Sequence, residues 1–578
     1  MSTLPRDDAL ATAPSDYIIT DPGPPATPLR LPPVKEVLSN YTLLNRIFSN
    51  IIPLDDRDAD GATIAEGRKR LLAIARVSVA FRDPALDCLW KCLGSLIPLI
   101  LLIDSVHLVD GVYTVSNIHI HGDQLKPSFF KYAERVRTLE ISQRMAIVGK
   151  DAPIDPSIQL LLSQQLGGTP LLPRLELIIL SSPITSSSIA LPLLILLPCS
   201  SLSAVEVQGP ILETAWCHKV FLPTLASRAS SSLKHLALKH DKAGLSGGGP
   251  WATLGLFKEL RTLSLHSPES HFFGVTPFRD LGSLLNGLIH LQNLTLHLPG
   301  PDSASRIPAS SLRHLSLLEE LNMVGWMQEQ SRASQLLVPA VVRSLVSLTL
   351  TFSQPGTWST LEEVGRTLLS TRTLKRVTLQ SNQSSTGILG SAILNFFKAV
   401  RLEDVTINIE RLEETDDSFF GKLLDTVGGF QLHASQHLLR SLVLPPGWTG
   451  KPPDLSSLTQ IAQKAPTLQR IGIPIHSELH PPILQHITKL ISSGPLGPER
   501  SNLVHLELCD TRDPEKSSHI SLHQYQIIAQ YIDMLFPRLV SISLHPNSKC
   551  RDFWPWIEQL RLMYREMRLK LSSRVPGS

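Results

Sequence analysis

Leu233–Lys234–His235–Leu236–Ala237–Leu238 returns as Leu260–Arg261–Thr262–Leu263–Ser264–Leu265, then as Leu291–Gln292–Asn293–Leu294–Thr295–Leu296, then as Leu345–Val346–Ser347–Leu348–Thr349–Leu350. Each phrase is an apolar residue, two others, an apolar residue, one other, and a last apolar residue. The last two apolar positions are two apart, the spacing that puts side chains on one face of a strand. Working outward, further phrases start at Val136, Leu175, Leu202, Leu318, Leu374, Leu402, Leu439, Leu468, Leu503 and Leu539, fourteen in all. Successive starts lie 27 to 31 residues apart between 175 and 402, and up to 39 apart outside that stretch. Chance does not hold such a step over a span of this length; stacked equivalent repeats do. Between the phrases run helical patterns. Leu361, Val364, Leu368 and Leu369 share one helix face over 359–370, as do Leu522, Ile527, Ile528, Tyr531, Ile532 and Leu535 over 521–536. One strand and one helix cannot bury their own apolar faces, so the repeats must stack. The expected architecture over 136–550 is an α/β solenoid with a parallel inner sheet and outer helices.

The chain before this region reads differently. Residues 1–30 form a Pro-rich tail, with Pro22–Gly23–Pro24–Pro25, expected to be disordered. Leu43, Leu44, Ile47, Phe48 and Ile51 then recur at helical steps. Asp55 to Arg70 is polar and reads as an exposed loop. Helical spacing resumes at Leu71, Leu72, Ile74, Ala75 and Val77, stops near Asp83–Pro84, and restarts at Ala85, Leu86, Leu89 and Trp90. A small all-α domain of three helices is therefore expected over 31–95. Residues 96–135 read as a linker and N-terminal cap, and 551–578 as a C-terminal capping helix and tail.

Hydrophobic residues are 42% of the chain and charged residues 18%, below the roughly 25% usual in soluble domains. The net charge of +3 gives no basic stripe for nucleic acid or for an anionic membrane. The apolar stretches Leu96–Ile103 and Ile189–Leu197 are far shorter than a bilayer span and read as core. The six cysteines show no paired framework, and no secretory leader is legible, which together point to an intracellular, cytoplasmic or nuclear, setting.

Catalytic motifs are missing from the sequence. Gly149–Lys150, Gly421–Lys422 and Gly450–Lys451 lack the rest of a phosphate loop, and no Gly-x-Ser-x-Gly elbow occurs. His476, Glu478 and His480 would share a helix face, but Pro474, Pro481 and Pro482 argue against a helix there. No catalytic residue, metal or cofactor is therefore expected. His119 and His121 alternate in an expected strand and read as ordinary solvated histidines. The outward rows of the inner sheet are more informative. His235, Lys239, His266 and His297 make its early part mildly basic, an expected footprint for an acidic or phosphorylated protein segment that strengthens below about pH 6.5.

The phrase resembles the leucine-rich-repeat family over about 136–550. Family members often carry Asn or Cys three residues after the strand to bond the turn. Here that position is Asn only at Asn382 and Asn547, and Pro at Pro183, Pro210, Pro268 and Pro299, so an irregular coil is implied. Residues 31–93 resemble an F-box, through Leu31–Pro32–Pro33, Leu44–Asn45–Arg46–Ile47–Phe48, Leu72–Ala73–Ile74–Ala75–Arg76–Val77–Ser78, Phe81 and Leu89–Trp90. Large fungal families share this order. The resemblance implies that Leu44, Ile47, Phe48, Ile51, Val77, Phe81, Leu89 and Trp90 dock a Skp-type linker protein, which bridges to a cullin scaffold. The repeats would then hold an unknown protein substrate, and the ubiquitin-transfer chemistry would belong to other subunits. The alternative is a leucine-rich-repeat interaction scaffold with no ubiquitin role, its N-terminal helices only a cap.

Overall fold

The computed structural model describes residues 38–572, apart from 39, 53–59, 116–124, 143–152, 182–193, 195, 241–250, 267–283, 298–314, 325–336, 338, 353–358, 369–370, 372, 382–386, 400–401, 414, 429–438, 494–500 and 514–519. The tail 1–30, Leu31–Pro33, His119, His121, the Gly149–Lys150 step, and Pro183, Pro268, Pro299 and Asn382 lie outside the described residues. The chain divides into two compact units, Met1–Leu89 and Trp90–Ser578.

The first unit contains helices α1, Tyr41–Ser49, and α2, Gly61–Ala75, and most of α3, Val79–Lys91. Asn40 caps α1 by accepting the Leu43 N–H, and Leu44 and Phe48, four apart, form its buried face. The second helix corrects the expected loop over 61–70, the remainder of that stretch up to 59 lying outside the described residues. Asp60 is its N-cap, accepting the Thr63 N–H at 2.8 Å, and Ile64, Gly67, Leu71 and Ala75 are its buried stripe. Gly67 hid that stripe from a reading of apolar residues. It occupies a core position because a Cβ there would sit 2.8 Å from the Ile51 carbonyl oxygen. The expected break at Asp83–Pro84 is also absent: Pro84 lies in the interior of α3, as its sixth residue, where it removes one ladder bond.

The second unit is α/β. Its strands are β1 Cys92–Leu93, β2 Val106–Val109, β3 Val112–Val115, β4 Thr138–Ile141, β5 Leu177–Leu180, β6 Ala204–Gln208, β7 His235–Lys239, β8 Thr262–His266, β9 Asn293–His297 and β10 Glu320–Val324. They continue as β11 Ser347–Phe352, β12 Arg376–Ser381, β13 Gly387–Leu389, β14 Asp404–Asn408, β15 Arg411–Glu413, β16 Ser441–Val443, β17 Gly447–Trp448, β18 Arg470–Ile475, β19 His505–Asp510 and β20 Ser541–Leu544. Fifteen of them form one sheet in the order β1-β4-β5-β6-β7-β8-β9-β10-β11-β12-β14-β16-β18-β19-β20. Within this sheet every strand pairs in parallel with the next one along the chain, the topology of a coil. β2 and β3 form a hairpin, and β13, β15 and β17 a second small parallel sheet. Among the described residues no helix is long and apolar enough to cross a membrane.

The register matches the repeated phrase. Leu236 faces Leu263, which faces Leu294, then Leu321, Leu348, Val377 and Val405. These middle positions are all buried, as are Leu265, Leu296, Met323, Leu350 and Leu379 two residues on. Three expected core positions fall short. Ile141, Ile542 and Leu544 are only half-buried, the last two on β20, which has a neighbour on one side only.

A backbone relay joins the turns. The Lys234 carbonyl accepts the N–H groups of both Arg261 and Thr262, Arg261 does the same for Gln292 and Asn293, and Gln292 for Glu319 and Glu320. Side chains staple the same corner. Ser201 donates to the Pro173 and Leu175 carbonyls, Ser232 to Cys199, Ser344 to Leu318, and Thr373 to Arg343 and Leu345. Each hydroxyl residue stands directly before the first apolar position of its phrase. This corner is one place where these turns bond their carbonyls.

At the C-terminus the Leu522–Leu535 helix begins with a capping box between Ser521 and Gln524. A final helix, Trp554–Ser572, follows. Its Arg561 is fully buried and grips Glu558 through Nε at 2.7 Å and Nη2 at 2.8 Å, while Nη1 donates to the Leu539 carbonyl at 2.9 Å. Arg565 Nη1 also donates to the Leu539 carbonyl, and Arg568 to those of Asp533 and Pro537, so three guanidinium groups close the carbonyls of the last turn.

Candidate functional site

The eight residues singled out for docking separate by environment. Leu44 and Phe48 are core of the first unit, and Phe48 meets Phe81 edge to face at 5.7 Å. Ile51, Phe81 and Leu89 are half-buried. Trp90 belongs to the second unit and lies 4.6 Å from the Tyr132 ring. Only Ile47, 51% exposed, and Val77, 70% exposed, present most of their side chains to solvent. They have company that the expected docking set left out. Leu38, Tyr41, Leu43, Leu72 and Val79 are also exposed. Leu43 and Ile47 lie four apart on α1, about 100° around the helix from the buried Leu44 and Phe48, so this helix is apolar beyond its buried face. Val77 and Val79 sit in and after the short turn between α2 and α3.

On the sheet, three rows face away from the buried leucines. The two rows read from the sequence include His235, Thr262, Asn293, Glu320 and Arg376 before the core pair, and Lys239, His266, His297 and Gln380 after it. Thr351, placed in the second row by its register, is buried. Between them runs a third row: Ala237, Ser264, Thr295, Asn322, Thr349, Thr378 and Thr406, in register across seven strands. Its signal was the single position between the two core residues of each phrase. The row is short, uncharged and mostly hydroxyl-bearing.

The expected basic footprint is electrically quieter than its composition. The Lys239 ammonium lies 2.6 Å from the Glu206 carboxylate, on the adjacent strand and largely buried. Glu206 also accepts Gln208 Nε2 at 2.6 Å. His266 and His297 face each other in register, Nδ1 to Nδ1 at 2.6 Å, so one ring donates and the other accepts. Burial, with the His266 ring beside it, pushes the His297 pKa down to about 4. Burial and the cations of Lys234 and Arg261 also lower that of His235. The expected strengthening for an acidic partner below about pH 6.5 therefore does not extend to His297, and Lys239 has its counter-charge already. The face offers hydrogen bonds more than charge.

A second cluster lies just past the C-terminal end of β18. His476, Glu478 and His480 bring one ligand atom each to within 4.8 Å of one another, the one such group of three among the described residues. Next to it, Ser477 is fully buried and donates to Asp510 Oδ2 at 2.6 Å; Asp510, at the end of β19, also takes Trp554 Nε1 at 3.0 Å. The six cysteines are buried, and burial raises the Cys217 thiol pKa to about 12, which keeps it protonated. No protein-family model matches the sequence, and no curated protein is significantly similar to it.

Proposed function

We propose that the chain is a non-catalytic recognition adaptor of a cullin-type ubiquitin ligase: an F-box-like helical unit that docks a Skp-type linker, followed by leucine-rich repeats whose sheet face holds a protein substrate. The observation that carries this reading is the second apolar side of the first unit. Its core is already made by Leu44, Phe48, Ile64 and Leu71, yet Leu43, Ile47, Leu72, Val77 and Val79 remain exposed. Apolar side chains in excess of a domain's own core are the mark of a surface that meets a partner. The polar row from Ser264 to Thr406 supports the second half of the reading, since hydroxyl and amide groups on a sheet read a polypeptide by hydrogen bonds. A capping role has its own support at residues 90–93. Trp90 stacks near Tyr132, and Cys92 and Leu93 pair with Thr138 and Leu139 at the sheet edge. This assigns Trp90 to the repeats and leaves the docking role to the exposed residues before it.

The test is direct. Purified full-length chain is mixed with a Skp-type linker, alone and with the cullin, and run by size exclusion. Co-elution of all three is expected. A chain that elutes alone at micromolar concentrations overturns the adaptor reading in favour of a scaffold without a ubiquitin role.

A further inference from the structure

Prolines bar a helix at His476, Glu478 and His480. Helical spacing is the wrong frame for them. Residues 476–480 follow directly from β18 without helix, and in extended chain residues two apart share a face. The burial alternates accordingly: Ser477 is fully buried and Leu479 packs on the core, while the side chains of 476, 478 and 480 are 33%, 28% and 58% exposed. Three ligand-type side chains thus emerge on one side of one short segment.

We propose that His476, Glu478 and His480 form a binding site for a divalent transition metal of the zinc type. Glu478 Oε2 is the centre of the group, 3.2 Å from His476 Nε2 and 3.7 Å from His480 Nε2. Tetrahedral bonds of about 2.0–2.2 Å place neighbouring ligand atoms roughly 3.3–3.5 Å apart. The two observed separations bracket that value. The third, between the imidazoles, closes by a small rotation of His480, the most exposed of the three. Two imidazoles and one carboxylate suit zinc, which prefers this donor mix to the all-oxygen cages of calcium or magnesium. Three protein ligands leave the fourth position to solvent water.

The segment is held before any ion arrives. The His476 N–H donates to the Pro453 carbonyl at 2.8 Å, and the Thr511 N–H reaches the Ile475 carbonyl at 2.9 Å. Ser477 is tied underneath to Asp510. His480 is the N-cap of the Pro481–Ser492 helix. A helix N-terminus would ordinarily repel a cation, but Pro481 and Pro482 remove the first two N–H donors, and Glu478 supplies the opposite charge.

The site is independent of the adaptor reading, and its test uses the chain alone, with no partner. Zn2+ and Co2+ are titrated into metal-stripped full-length protein by calorimetry and native mass spectrometry. Wild type is expected to bind one equivalent more than His476→Ala/His480→Ala, to show visible Co2+ absorption of the tetrahedral kind, and to gain melting temperature on Zn2+ addition. Glu478→Gln should weaken that equivalent at least tenfold. His266→Asn/His297→Asn should leave it unchanged, which separates it from the other histidine pair. All three ligand side chains are partly exposed, so the variants should melt like wild type in chelator; His480→Ala alone serves where the double variant does not. Equal stoichiometry in wild type and the site variants, or no tight equivalent in either, overturns the proposal.

Discussion

Replacing Ile47 and Val77 together by Ala should separate docking from folding in the helical unit. The two side chains are 51% and 70% exposed, so removing them takes little from the core. Surface truncations of this kind shift stability by about 0.5 kcal/mol or less each. Full burial of a Val or Ile side chain contributes about 1.5–3 kcal/mol. With half to two-thirds of that still available, each residue can add roughly 1–2 kcal/mol when a linker covers it. Losing both should then weaken linker binding by about 2–4 kcal/mol, or some 30- to 1000-fold. Phe48 is the contrast. It is 6% exposed and packed on Phe81, so Phe48→Ala should cost about 3–5 kcal/mol of folding and lose binding for that reason. Biolayer interferometry on immobilised linker, with thermal melts of the same samples, measures both quantities. If the Ile47→Ala/Val77→Ala chain melts like wild type and binds the linker within about threefold, the exposed apolar side of α1 and the α2–α3 turn is not the docking surface.

Three further outcomes follow from the second unit. Leu294→Asp puts a carboxylate between Leu263 and Leu321 in the buried row, and should give insoluble or protease-sensitive protein; a wild-type melt would mean the register is wrong. Arg561→Ala leaves the Glu558 carboxylate without its guanidinium partner, while the Leu539 carbonyl keeps the Arg565 Nη1 donor, and should cost about 3–5 kcal/mol in urea unfolding, whereas a loss under 1 kcal/mol would show that water replaces the guanidinium. His297, neutral when folded with its pKa near 4 against 6.5 when unfolded, makes the unfolded chain take up the extra proton as pH falls from 6.5 towards 4. Its contribution to stability is complete above pH 6.5 and is lost over that window, so the melting temperature of His297→Asn should fall less than wild type between pH 7 and 4.5; parallel curves would refute a half-buried, neutral His297.

The parallel sheet was legible because its signal is local and repeats: two apolar residues two apart, found again every thirty or so residues, fix both the strand and its register. The first part of the second helix was not, because a core position filled by Gly67 carries no apolar mark, and the polar residues around it read as loop. The His476–His480 group is obscured for a related reason. Its spacing suggests a helix that the flanking prolines forbid, while the chain there is extended and alternates by two.

The electrostatics of the sheet face were beyond a reading of one strand at a time. In a parallel coil the groups that meet across strands are a whole turn apart in sequence: Lys239 meets Glu206 from 33 residues away, and His297 meets His266 from 31. A row of Lys and His looks basic when its own residues are counted. The charge is settled by the neighbouring turn, where Glu206 occupies the middle row one strand back. What survives this pairing is the run from Ser264 to Thr406, which carries no charge to cancel. A substrate that lies along that run would be chosen by hydrogen bonds and shape, and its affinity would change little with salt, because few unpaired charges remain there to be screened.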